Sequence, residues 1–149
     1  MRILIALAAI AAFTVAAACS SGDDGVSSSG MTRKARVGDI TMEATLMDAA
    51  SGLALRPALE VLPLDTLVIF AITLDTHSTD LSNISLAAAA VLQQVGPGTV
   101  PRAWMPTKEE AHHVEGILLF SRLSESGPVT LVTDLGGDKP VEMTWESQV

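Results

Sequence analysis

Apolar positions along this chain fall into short runs that repeat every second residue, the pattern of strands buried on one face. Ile40, Met42, Ala44 and Leu46 alternate with Thr41, Glu43, Thr45 and Met47, and residues 48–52 carry turn chemistry. Residues 58–62 predict a short strand. Pro57 and Pro63 confine it to an edge or a bend, because proline has no N–H to give to a ladder. Residues 66–76 (TLVIFAITLDT) are β-branched and apolar on both faces, which predicts the central strand. Residues 86–95 pull two ways. The alanines 87–90 favour helix, whereas Val91 to Val95 followed by Gly96-Pro97-Gly98 and Thr99-Val100 reads as a hairpin. The reading adopted is a loop or helical turn at 81–85 and then a strand. Residues 114–122, 129–134 and 141–146 predict three more strands, separated by breaks at 124–128 and 136–140. Seven or eight short strands at this spacing predict an all-β fold, an immunoglobulin-like antiparallel β-sandwich. Trp145 is expected in its core and Trp104, between Pro101 and Pro106, half-buried at a strand end.

The first eighteen residues break the alternation. Met1-Arg2 is a short positive start, residues 3–15 are almost wholly apolar, and Ala16-Ala17-Ala18 supplies small side chains before Cys19. A signal peptidase requires small residues beside the bond it cuts. Val15-Ala16-Ala17-Ala18-Cys19 resembles the bacterial lipobox, whose cysteine is lipid-modified; Ala16 stands where leucine is commoner. The resemblance implies a lipoprotein, with residues 1–18 as signal peptide, residues 19–32 as lipidated Cys19 plus a flexible Ser/Gly/Asp linker, and residues 33–149 as the sandwich domain. Ser20 after the cysteine implies, for a Gram-negative cell, the outer membrane. Three alternatives stand beside this one: an ordinary cut after Ala18, an uncleaved anchor, and an incidental cysteine.

Composition narrows the partners. The 149 residues carry a net charge of −8. With Arg2 removed, −8 − 1 gives about −9 for the mature part. No basic patch is interleaved with aromatics, so nucleic acid is not an expected partner. Acidity of this size repels anionic lipid, so attachment to a membrane needs a covalent or apolar anchor. Cys19 is the single cysteine, which excludes an intramolecular disulfide. With two Trp, three Phe and no Tyr, stacked aromatic platforms for sugars have little material.

The three histidines mark the candidate chemistry. His77 lies in Asp75-Thr76-His77-Ser78-Thr79-Asp80-Leu81, just past the central strand, and His112-His113 precede the apolar run 117–120. Asp75, Asp80, Glu109, Glu110 and Glu115 are close in sequence. If the strands entering and leaving these motifs are antiparallel neighbours, both motifs reach one end of the sandwich. Imidazoles and carboxylates gathered there suit a divalent cation, copper or zinc. The same residues also suit a structural hydrogen-bond cluster, because Asp, Ser and Thr close turns through side-chain to backbone bonds. Neighbouring residues on a strand point to opposite faces, so His112 and His113 reach one ion only across a bulge or loop. Glu109-Glu110 reads as a solvated charge pair. Ser78 and Ser121 have no Gly-x-Ser-x-Gly elbow, and no Walker loop, dinucleotide glycine pattern, zinc motif or EF-hand loop is present.

These residues resemble an uncharacterised family of bacterial extracytoplasmic domains. Its pattern is a central strand ending in Asp-Thr-His-Ser-x-Asp-Leu, then a Trp, a His-His pair, a Gly and an apolar strand. Here the matching positions are Asp75 to Leu81, Trp104, His112-His113, Gly116 and residues 117–120. Lys108-Glu109-Glu110-Ala111 replaces the family's Gly-rich approach to the histidines. The resemblance implies a shared site without naming its chemistry. The expected protein is therefore a non-enzymatic, membrane-anchored extracytoplasmic binding domain, with His77, His112, His113, Asp75 and Asp80 as candidate copper or zinc ligands. The alternative is a structural or interaction module that docks an envelope protein and has no ligand site, and the least favoured reading is a hydrolase.

Overall fold

The computed structural model describes residues 27–29, 31–47, 64–94, 96–123 and 127–146. The signal segment, Cys19, the turn at 48–52 and the strand expected at 58–62 lie outside them. Among the described residues the chain forms nine strands: β1 (Ser27–Ser29), β2 (Thr32–Val37), β3 (Ile40–Leu46), β4 (Leu67–Asp75), β5 (Ala90–Gln93), β6 (Ala103–Glu110), β7 (His113–Ser121), β8 (Val129–Thr133) and β9 (Val141–Trp145). They make two antiparallel sheets, ordered β1-β2-β3-β4-β7-β6 and β5-β8-β9. The protein is an all-β antiparallel sandwich. Strand β1 falls within the segment read as linker, where Ser27 pairs with Lys34.

Why the chain divides this way follows from side-chain alternation. On β3, Ile40, Met42, Ala44 and Leu46 face the partner sheet and are buried. On β4, Val68, Phe70, Ile72 and Leu74 do the same, and on β7 Leu118 and Phe120 join them. The second sheet answers with Leu92, Val129, Leu131, Val141, Met143 and Trp145. Phe70 stands edge-on to Phe120 with centroids 6.0 Å apart and tilts against Trp145 at 5.0 Å. Each such fully buried large side chain stabilises the fold by about 1.5–3 kcal/mol. The indole N–H of Trp145 donates to the Met31 carbonyl at 2.6 Å, and the Arg33 guanidinium lies 5.6 Å from its ring centre. Arg33 also donates to the Thr144 carbonyl at 3.0 Å, which joins β2 to the rim of the second sheet.

Besides β1, two strands were not foreseen. In β2, only Ala35 is buried, and Arg33, Lys34 and Arg36 hide the alternation. In β6, residues 106–110 are exposed and the register shifts between Pro106 and Lys108, so the strand carries no hydrophobic period. Trp104 is accordingly half-buried, but at the start of a strand that the sequence did not announce. The ambiguous stretch holds both of its competing signals in turn. A 3-10 turn spans Leu81–Asn83, a single helical turn α1 spans Leu86–Ala89, and β5 begins at Ala90. The Ser85 carbonyl accepts from Ala88 and Ala89 N–H, which starts α1 before Leu92 commits the chain to the sheet.

Gly116 is a packing requirement. A Cβ there would stand 2.5 Å from the Trp104 ring and 2.6 Å from the Met105 carbonyl oxygen, and the second of these is backbone that cannot step aside. Gly116→Ala should therefore cost about 1–3 kcal/mol, the usual range for overpacking. Urea unfolding followed by tryptophan fluorescence measures it, and an unchanged midpoint would contradict the packing described.

Candidate functional site

Strand pairing brings both histidine motifs to one end of the larger sheet. Asp75 ends β4 and sits opposite His113, which opens β7, and Glu110 flanks His113 on the other side. Beyond β4, the Thr76 N–H donates to the His112 carbonyl at 3.1 Å and the Leu81 N–H to the Ala111 carbonyl at 2.8 Å. These two bonds lace the 76–81 loop to the two-residue turn Ala111-His112. The juxtaposition expected from the sequence is thus present.

The side chains, however, are turned to one another. His113 contacts Asp75 Oδ1 through Nδ1 at 2.6 Å and Glu115 Oε1 through Nε2 at 2.7 Å. Both ring nitrogens are engaged, on opposite sides of the ring. The carboxylate of Asp75 first, and that of Glu115 second, raise the imidazole pKa above its ordinary 6.5. His112 donates from Nδ1 to the Thr79 carbonyl at 3.1 Å. His77 is exposed in the bend at 77–79, and its ring has no partner among the described residues. Asp80 caps the 3-10 turn, accepting from the Ser82 N–H at 3.0 Å and the Ser82 hydroxyl at 2.6 Å, and these bonds lower its pKa. Among the described residues no three His, Cys, Asp or Glu side chains converge in a way that could hold a metal ion. Glu109 and Glu110 are exposed, with Lys108 Nζ 3.3 Å from Glu110 Oε1.

The residue that organises this end is Asp39, which sequence reasoning passed over. It sits in the two-residue turn between β2 and β3, after Gly38, whose φ of +59° suits the first position of such a turn. From there its carboxylate accepts from the Thr76 hydroxyl at 2.7 Å, the Ser78 hydroxyl, the Thr79 hydroxyl at 2.8 Å and the Thr79 N–H at 3.0 Å. Ser78 contributes most, then Thr76 and Thr79, and together they hold the Asp39 pKa well below the ordinary carboxylate range. A carboxylate with several aligned donors prefers to stay ionised. The signal was present in the sequence as a loop, Thr76-His77-Ser78-Thr79, with more donors than its own residues can satisfy. Nothing local said where the acceptor would come from.

Beside Asp39 the turns of the two sheets bound an open groove of about 770 Å³, lined by Arg36, Asp39, Thr79, Leu135, Lys139 and Glu142 among others. Its charges are mixed in sign. The Ser78 hydroxyl is directed to Asp39 and not to an imidazole.

Two outcomes are expected. Asp39→Asn should loosen the 76–79 loop, so that the Thr79 amide exchanges about tenfold faster, the effect of losing roughly one net hydrogen bond. In the wild type the Asp39 bonds stabilise the fold fully above the unfolded pKa of 3.8 and are lost as pH falls through the lower folded value. His113 has the opposite sign. Its folded pKa is raised, so its contribution is complete below 6.5 and disappears as pH rises through the folded pKa. The stability gap between wild type and His113→Asn should therefore be widest in mild acid and narrow on the alkaline side, as thermal melts across pH would record.

No family model matches the chain, and no curated protein and no solved structure matches it either.

Proposed function

We propose that the protein is a membrane-anchored extracytoplasmic interaction module of the cell envelope, held by lipid on Cys19 and docking an envelope protein without catalysing a reaction. The observation that supports this reading is that four of the five candidate ligands, His113, Asp75, Asp80 and His112, already have protein partners. His113 is spent on Asp75 and Glu115, Asp80 on Ser82, and His112 on a backbone carbonyl. A site built to take a cation or to activate a nucleophile keeps such groups aimed at a shared empty point. Here His112, through Thr79, adds a side-chain bond to the backbone bonds that brace the 76–81 loop against the Ala111-His112 turn. The product is a rigid sheet end beside an open groove of mixed charge, which suits a polar protein surface better than a buried small molecule. The family resemblance carried by Asp75 to Leu81, Trp104, His112-His113 and Gly116 then marks the residues that shape this end.

A second reading keeps copper or zinc at His77, His112, His113, Asp75 and Asp80. One observation favours it: the fold does gather these residues at one end of one sheet. Binding there would require His113 to release a carboxylate.

The experiment has two arms. Fractionation and mass spectrometry of the mature N-terminus should find wild type in membranes with acyl chains on residue 19, and Cys19→Ser in neither state; a mature wild-type protein without lipid overturns the anchor. Calorimetry with Cu(II) and Zn(II) should detect no binding that His113→Ala or His77→Ala removes. Tight binding abolished by either substitution would select the metal reading instead.

A further inference from the structure

β9 is an edge strand of the smaller sheet, paired with β8 on one side only. Its other side faces β2 of the larger sheet, where Arg33 Nε donates to the Thr144 carbonyl at 3.0 Å. That carbonyl is therefore turned away from β8. The Thr130 and Thr144 hydroxyls meet at 2.9 Å across the ladder, which fits the closely spaced antiparallel pair that exchanges no backbone bonds. Bonded and non-bonded pairs alternate, so Glu142, two residues before Thr144, also directs its N–H and C=O outward. Neither group bonds to another described residue outside the ladder. Both open on the groove, whose lining includes Glu142 and residues 35–37 of β2. The groove supplies two further kinds of contact. Ile40, Leu135 and Val141 are buried apolar side chains at its floor. Arg36, Asp138, Lys139 and Glu142 are exposed at its rim, and among the described residues none of the four has an ion-pair partner. Two cations and two carboxylates are thus left to an outside partner.

We propose that an extended segment of the partner protein docks here as an added strand, bonding to the Glu142 backbone while its side chains alternate between the apolar floor and the charged rim. The proposal rests on the docking reading given above and specifies how that partner is held. Among regular backbones only an extended one has N–H and C=O groups to offer along its length, because a helix spends its own internally. Side chains of a strand point alternately to two sides, which matches a groove that is apolar below and charged above. The rim calls for charges of both signs in the partner, since its own cations and carboxylates are uncompensated. Arg33 already holds the Thr144 carbonyl, so pairing is centred on Glu142 and not on the far end of β9.

The test places a benzophenone amino acid at position 140, in the groove lining, of the full chain expressed in cells, and in a second version at position 109, on the β6 margin. Irradiation should join position 140 to another protein. Glu142→Pro removes one outward N–H and no ladder bond, and should cut that adduct about tenfold, the effect of roughly one net hydrogen bond. Glu142→Ala keeps the amide and should retain most of it. Equal adduct in the two variants overturns the proposal, as does an adduct with a second copy of this chain. An adduct at 109 alone overturns it and leaves the docking reading standing, whereas no adduct at either position overturns both. Should Glu142→Pro not fold, amide exchange in the wild type decides. A capped peptide that alternates valine with threonine about a central lysine should slow exchange at Glu142 several-fold, and its fully N-methylated copy should not. Equal slowing by both peptides, or slowing by neither, overturns the proposal.

Discussion

A nine-residue strand that is apolar on both faces cannot stand at the surface of a protein, and the rest of this structure is arranged around that constraint. β4 must have a neighbour on each edge and a layer on each apolar face. β3 and β7 satisfy the edges, the β5-β8-β9 sheet covers the inner face, and only at Thr73 and Asp75 does the outer face turn polar. The point where β4 stops being apolar is also where its chemistry begins. Asp75 comes to rest opposite His113 because the register that buries Phe70 against Leu118 leaves no other pairing for it. The candidate site is thus a by-product of core packing and inherits its precision from the core.

What the sequence disclosed and what it hid divide along the same line. β3, β4, β7, β8 and β9 were legible because each buries one face or both, and burial writes a period into the residues. β2 and β6 were not. A strand such as Thr32–Val37 needs only Ala35 inside, and its arginines serve Trp145 and solvent. β6 shows its outer half to water, so proline and charge are tolerated there. At 86–95 the alanine propensity and the strand signal were both real, but they acted in succession over a span shorter than either pattern is usually judged.

The site was half legible for a different reason. Sequence proximity and strand order sufficed to bring His77, His112 and His113 to one end. They could not reveal that Asp39, roughly forty residues upstream of the loop it holds, would take the hydroxyls of Thr76, Ser78 and Thr79. Hydrogen-bond partners chosen across a sheet leave no local pattern. Asp80 was readable as a turn cap from its neighbours alone, whereas Asp75, equally suited to a cap by composition, was drawn to His113 by register.

The margins of the larger sheet carry a last consequence. A free strand edge invites other copies of the same chain to pair with it. On one margin, β6 breaks its ladder at Pro106, slips register before Lys108 and ends in exposed Glu109 and Glu110. On the other, β1 offers only three residues. Among the described residues neither margin presents a long, regular row of unpaired amides, so edge-to-edge pairing of copies finds little to build on.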